Sequence, residues 1–182
     1  MIEAILAAAV AATPAPVATP GLVGPCVWEK LPAYKAQVIA APDFQTFSKL
    51  RNAYPEGALE TAFEACVPEG PADSAAEIAF TYYEVSLWAE RRLAGKWPQA
   101  KLATIDSIPE EDLRFFWLQP APDKIDAGYK AARGEAYARV YGPFGRTGPA
   151  AAGTHDDLDS WIIGRVGWRL GELDYRQGLA RH

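Results

Sequence analysis

The stretch SAAEIAFTYYEVSLWAERRLA, residues Ser74 to Ala94, decides the fold. Ser74 and Glu77 stand at capping-box spacing, which opens a helix, and Gly95 follows as a stop. Ile78, Tyr82, Val85 and Ala89 fall on one apolar row, and Ala76, Phe80, Tyr83 and Leu87 on a second. Only Glu77, Thr81, Glu84, Trp88 and Arg91 make a narrow, mostly polar row, on which Glu84 is expected to be open to solvent. A helix that is apolar over most of its circumference is surrounded by other elements. The segment therefore predicts a central helix with the rest of the chain packed round it.

Helical punctuation continues on both sides. A first helix is expected from Trp28 or Leu31 to Ala41, with Pro32 in its first turn. Asp43 is placed to cap a second through Tyr54, and Pro55 opens a third that ends near Cys66. Beyond the central helix, Pro98 to Asp106 reads as a short helix. Ser107 and Glu110 repeat the capping-box spacing ahead of a helix to Leu118, and Pro122 and Asp123 start another that ends near Tyr141. Gly142 to Gly153 is rich in Gly, Pro and Ala and reads as a loop. No segment shows the period-two alternation of a half-buried strand. The expected fold is all-α, an irregular bundle of six to eight helices closed by one disulfide.

The last helix, from Thr154 and Asp157 toward Ala180, carries Asp156, Asp157 and Asp159 at its start and Arg176 near its end, as the macrodipole favours. Ile163, Val166, Leu170 and Leu173 read as its core row, and Arg165, Arg169, Glu172 and Arg176 as its exposed row. Gly164, Gly167 and Gly171 each cost about 1 kcal/mol of helix propensity relative to Ala. Close approach of another helix at these positions offsets that cost.

The chain has 182 residues, 49% of them hydrophobic and 23% charged, the balance of one globular domain. Its net charge is -5, and no Lys/Arg block occurs. Nucleic-acid binding needs such a footprint and is not expected. No apolar run reaches the ~18 residues of a membrane span. The alanine-rich run Ala4 to Ala12 has the length of a signal-peptide core, with Ala7-Ala8-Ala9 or Ala9-Val10-Ala11 as small-residue cleavage sites, although Glu3 is the only charge before it. Residues 1–25 read as a signal peptide and Pro-rich spacer, and residues 26–182 as a single helical domain. Cys26 and Cys66 are the only cysteines. In an oxidising compartment they are expected to pair. The expected location is the periplasm or outside the cell, with the cytoplasm as the alternative.

Chemistry is sparse. His155 and Asp159 share i,i+4 spacing in an acidic helix start, yet no second histidine lies near them, so no metal site is expected. Arg146, in the Gly/Pro loop, offers an anion contact. Trp88 falls on the polar row, where it is either covered by the next helix or offers a surface aromatic for a sugar ring or a protein partner. No Ser-His-Asp arrangement or nucleophile elbow is present, the carboxylates offer no way to choose a catalytic pair, and no cofactor motif stands out. The expected function is non-enzymatic and rests on protein contacts. A cell-envelope glycan binder or hydrolase and a cytosolic adaptor are the alternatives. Mass spectrometry of the natively expressed protein checks the export reading. The expected mature species lacks the leader, and an intact Met1 on a cytosolic product removes the reading.

Overall fold

The computed structural model describes residues 22–53, 57–67, 73–118, 121–151 and 156–179. Of the leader and spacer expected over residues 1–25, residues 1–21 lie outside the described residues. Among those described there are nine α-helices and no strand: α1 (Val23–Glu29), α2 (Pro32–Ala40), α3 (Phe44–Asn52), α4 (Ala58–Glu64), α5 (Asp73–Leu93), α6 (Gln99–Leu102), α7 (Glu110–Trp117), α8 (Ala127–Tyr141) and α9 (Asp157–Leu179). Short 3-10 turns cover Ala103–Ser107, Pro122–Lys124 and Gly142–Phe144. The protein is an all-α irregular bundle with Cys26 and Cys66 at disulfide distance. None of the described helices is long and apolar enough to cross a membrane.

Local chemistry explains most boundaries. The Asp43 carboxylate accepts a hydrogen bond from Thr46 N at 2.7 Å and caps α3. Gly95 ends the central helix with a left-handed φ of 87°, which only glycine adopts without strain. Three boundaries differ from expectation. The first expected helix takes its Leu31 start and is α2, and a separate helix precedes it, because Pro32 keeps the residue before it out of the helical region, with Leu31 at φ -124°, ψ 52°. α1 accordingly begins at Val23, inside the stretch read as spacer. Ser107 does not cap α7, since its hydroxyl donates back to Thr104 O at 2.8 Å. Asp126, not the Pro122-Asp123 pair, caps α8 by accepting from Tyr129 N at 2.7 Å.

α5 and α9 form the antiparallel axis of the bundle. Their backbones meet at small residues. A Cβ on Gly164 would stand 2.5 Å from Ser86 N and 2.9 Å from its Cα. One on Gly171 would stand 2.6 Å from Ala79 N, and one on Gly167 2.5 Å from the Tyr82 ring. No room for a methyl exists at these three sites, as the glycine spacing predicts.

Around this axis α5 is covered on further sides. Phe63 of α4 meets Phe80 edge-on at 5.4 Å, and Trp117 of α7 meets Tyr82 at 4.8 Å. α2 and α3 cover the face carrying Thr81, Glu84 and Trp88. Trp88 Nε1 donates to Ala41 O at 3.1 Å, and its ring stacks on Phe47 at 5.1 Å. Arg92 reaches the Pro42 carbonyl and pairs with Asp157 at the start of α9 at 2.7 Å.

This packing corrects the rotation expected for both long helices. Glu84, expected on the open side of the polar row, is 2% exposed, and Trp88 is 0% exposed, covered as its enclosed reading has it, because α2 and α3 fold back over both. Ile78, assigned to the core, is exposed. In α9, Ile163 is exposed and Glu172 buried, the reverse of expectation. The buried set is Leu158, Trp161, Ile162, Val166, Leu170 and Tyr175, because the glycines rather than the branched residues face α5. Trp28 is buried, while Trp117 and Trp168 are only partly so.

Cys26 on α1 and Cys66 just after α4 lie with Cα atoms 5.8 Å apart and close a loop of 40 positions that contains α2, α3 and α4. Cys66→Ser is expected to lower unfolding free energy by roughly 2–4 kcal/mol in a urea titration. No loss would mean that the bond does not restrain the unfolded chain. At the axis, Gly164→Ala and Gly171→Ala are each expected to cost about 2–3 kcal/mol, because the clash is with backbone and outweighs the gain in propensity. Gly134→Ala on the exposed side of α8, with nothing within 4 Å of the added Cβ, is expected to stabilise by about 0.5–1 kcal/mol. Equal effects at the three sites would show that α5 and α9 do not approach this closely.

Candidate functional site

Among the described residues, an open groove of about 430 Å³ runs between the α1–α2 corner and the C-terminal half of α5, with Trp97 and α6 at one end. Its walls follow from helical spacing. Tyr83, Leu87, Glu90 and Arg91 lie along one side of α5, and Lys35 and Ile39, one turn apart, face them from α2. Trp28 and Glu29 come from α1, and Gln99 and Leu102 from α6.

A buried polar contact fixes the α1 wall. Leu22 offers no side-chain cap to α1, and the Glu172 carboxylate of α9 replaces it. Oε1 accepts from Gly24 N at 2.9 Å and from Trp168 Nε1 at 3.0 Å. A Cβ on Gly24 would stand 2.8 Å from Tyr83, so this glycine lets α1 settle against α5. The 3-10 turn that follows α6 is held by Arg169, which donates to Ile105 O at 2.5 Å and to Ile108 O just beyond the turn at 3.1 Å, and by the two-pronged pairing of Arg165 with Asp106 at 2.7 and 2.6 Å. Burial pushes the Arg169 guanidinium below its ordinary pKa, but it stays a cation.

The aromatic rings of the groove are already engaged. Tyr83 packs edge-on to Trp28 at 6.2 Å and against Trp168 at 4.8 Å. Lys101 stands over the Trp97 ring at 4.6 Å, and Phe144 meets the same ring edge-on at 5.4 Å. Burial raises the Tyr83 hydroxyl pKa, and the Glu29, Glu90 and Glu172 carboxylates add to it, so the phenol stays protonated. The rim charges are balanced. Glu29 pairs with Lys35 at 2.5 Å, and Glu90 accepts from Gln99 at 3.2 Å. Ile39 is 37% exposed.

The residues singled out by sequence lie elsewhere. Trp88 is wholly enclosed by α2 and α3 and presents no surface to a ligand. Arg146 is 3.0 Å from Asp156 and 3.0 Å from Asp159, and its guanidinium sits over Tyr141 at 5.3 Å. Asp159 also accepts from Ala150 N at 2.7 Å, and Asp156 caps α9 by accepting from Asp159 N at 3.0 Å. Arg146 and Asp159 thus meet in one network that staples the Gly/Pro loop to the start of α9. Loop and helix start were legible in the sequence, but their mutual neutralisation was not. His155 lies outside the described residues. Among the described residues no three His, Cys, Asp or Glu side chains gather as a metal-ligand set.

Sequence reasoning missed the groove because its walls come from helices distant in the chain. The available signal was the Tyr83–Leu87 row continuing into Glu90 and Arg91, apolar residues giving way to charge on one helix face. No protein-family model matches this chain, and none of the curated proteins or solved structures compared with it matches.

Proposed function

We propose that this chain is an exported, non-enzymatic helical protein that acts in the periplasm or outside the cell through protein contacts, and that the groove between α1–α2 and α5–α6 is its contact surface. The alanine-rich leader supports export. So does the Cys26–Cys66 pair, since disulfides persist in oxidising compartments.

The observation that carries the contact reading is the division of labour among the groove side chains. Tyr83 and Trp97 are packed against neighbours, and the accessible floor is aliphatic at Ile39 and Leu87. The rim carries both signs of charge, with Glu29 already paired to Lys35. An aliphatic floor under a mixed-charge rim suits a partner's amphipathic segment, with a few apolar anchors buried and polar groups left at the edge.

The glycan reading draws on Trp28, Trp97, Glu29 and Glu90 sharing the same groove. Sugar recognition needs an open aromatic face, and hydrolysis needs a carboxylic acid kept protonated by an apolar site. The Glu29 side chain is 70% exposed and ion-paired, which favours neither requirement.

A photo-crosslinker placed at Arg91, in cells of the native host, tests the proposal. The expected result is one discrete protein adduct that is absent when the crosslinker is moved to exposed Glu60 on α4. The partner so identified, once purified, is expected to bind about tenfold or more weakly to Ile39→Glu in calorimetry. Unchanged affinity removes the groove as the contact surface. Saturable quenching of tryptophan fluorescence by soluble cell-wall glycan fragments, abolished by Ile39→Glu, replaces the proposal with the glycan reading.

A further inference from the structure

α2 and α3 close over a carboxyl group that has no water to ionise into. Glu84 sits at the middle of α5, 2% exposed. The charged and titratable groups that face it are the Tyr34 hydroxyl from α2 and the Arg51 guanidinium from α3, whose Nε lies 3.3 Å from Glu84 Oε2. α5 itself contributes the Thr81 hydroxyl, which accepts from the same guanidinium at 3.3 Å. Arg51 is 38% exposed, so it stands at the edge of the site and its charge is partly screened by solvent. One turn further on, Trp88 holds the same two helices through Ala41 O and Phe47.

We infer that Glu84 is a pH-sensitive latch: with its carboxyl protonated, α2 and α3 stay closed on α5, and when the carboxyl ionises they loosen. The geometry sets the direction. A neutral carboxyl is tolerated in this enclosure, whereas a carboxylate gains hydration only where the cover lifts. Desolvation outweighs the opposing effects of Tyr34 and Arg51 and raises the pKa from an ordinary value of 4.5 to about 7. Because the closed form holds the proton more tightly than any form that exposes Glu84, its advantage is full below pH 4.5 and is lost as pH rises through about 7.

The latch reaches the groove, since α2 carries Tyr34 to Glu84 and Lys35 and Ile39 to the groove wall. That consequence rests on the proposed contact surface. The latch itself does not, and its test reads helix opening rather than binding.

Amide hydrogen exchange of the intact, oxidised protein at pH 6 and pH 8, corrected for intrinsic exchange rates, tests it. Amides of α3 such as Phe47 and Leu50 are expected to lose about tenfold protection over that range, the linkage value for pKa values of 7 closed and 4.5 exposed. Ile162 and Val166 on α9 are expected to lose much less. Glu84→Gln, which keeps shape and hydrogen bonding without charge, is expected to abolish the pH dependence in α3. Arg51→Gln leaves the carboxyl in place and is expected to move the midpoint of the α3 transition upward, because the cation that favours ionisation is gone. Equal loss in α3 and α9 would show that Glu84 acts only on global stability, and an unchanged α3 response in Glu84→Gln would assign the response to another group. Either result overturns the latch.

Discussion

Everything else in this structure depends on how closely α5 and α9 approach. Gly164, Gly167 and Gly171 face Ser86, Tyr82 and Ala79 with no space for a Cβ. Three glycines inside a helix cost backbone entropy, and close packing along both helices is what offsets it. The approach also brings Arg92 near the end of α5 against Asp157 at the start of α9. Burial alone would raise the Asp157 pKa, but the hydrogen bonds and charges of Arg92 and Lys96 outweigh it and leave it lowered. The contribution of this group is therefore present above the ordinary carboxylate range and lost on acidification. Glu84 works in the opposite sense, so the two carboxyls on the axis respond to pH in opposite directions.

Three of the remaining helices, α1, α2 and α3, meet the axis at buried polar contacts. Glu172 holds the start of α1, Glu84 faces α2 and α3, and Trp88 holds the turn between those two helices. A buried polar group left without its partner costs more than the pair contributes, so such contacts select one arrangement among several apolar packings of similar quality. The disulfide then limits how far α1 to α4 can separate if those contacts open. An arrangement of this kind, a rigid helix pair with a more lightly fastened cover, suits a protein whose groove wall belongs to the cover.

The element plan was legible in the sequence. Asp43 at the start of α3, Gly95 at the end of α5, the acidic start of α9 and the cysteine pair all stand where local chemistry placed them. Helix caps, stops and macrodipole charges act over three or four residues, and a linear reading sees such ranges. The rows of the two long helices were harder. Glu84 and Glu172 look like surface residues by type and spacing, and each is buried under a helix that returns from elsewhere in the chain. Arg146 and Asp159 look like free charges and neutralise each other.

By itself, then, the sequence determined the all-α class, the central helix, the glycine face of the last helix and the disulfide partners, because each follows from local periodicity or from the only pairing available. The tertiary structure alone decided which face of α5 is covered by α2 and α3, where Glu172 finds its donor, and that Ile39 and Leu87 come to share a groove. Those outcomes depend on contacts between segments far apart in the chain, and no local pattern encodes which helix returns to cover which face.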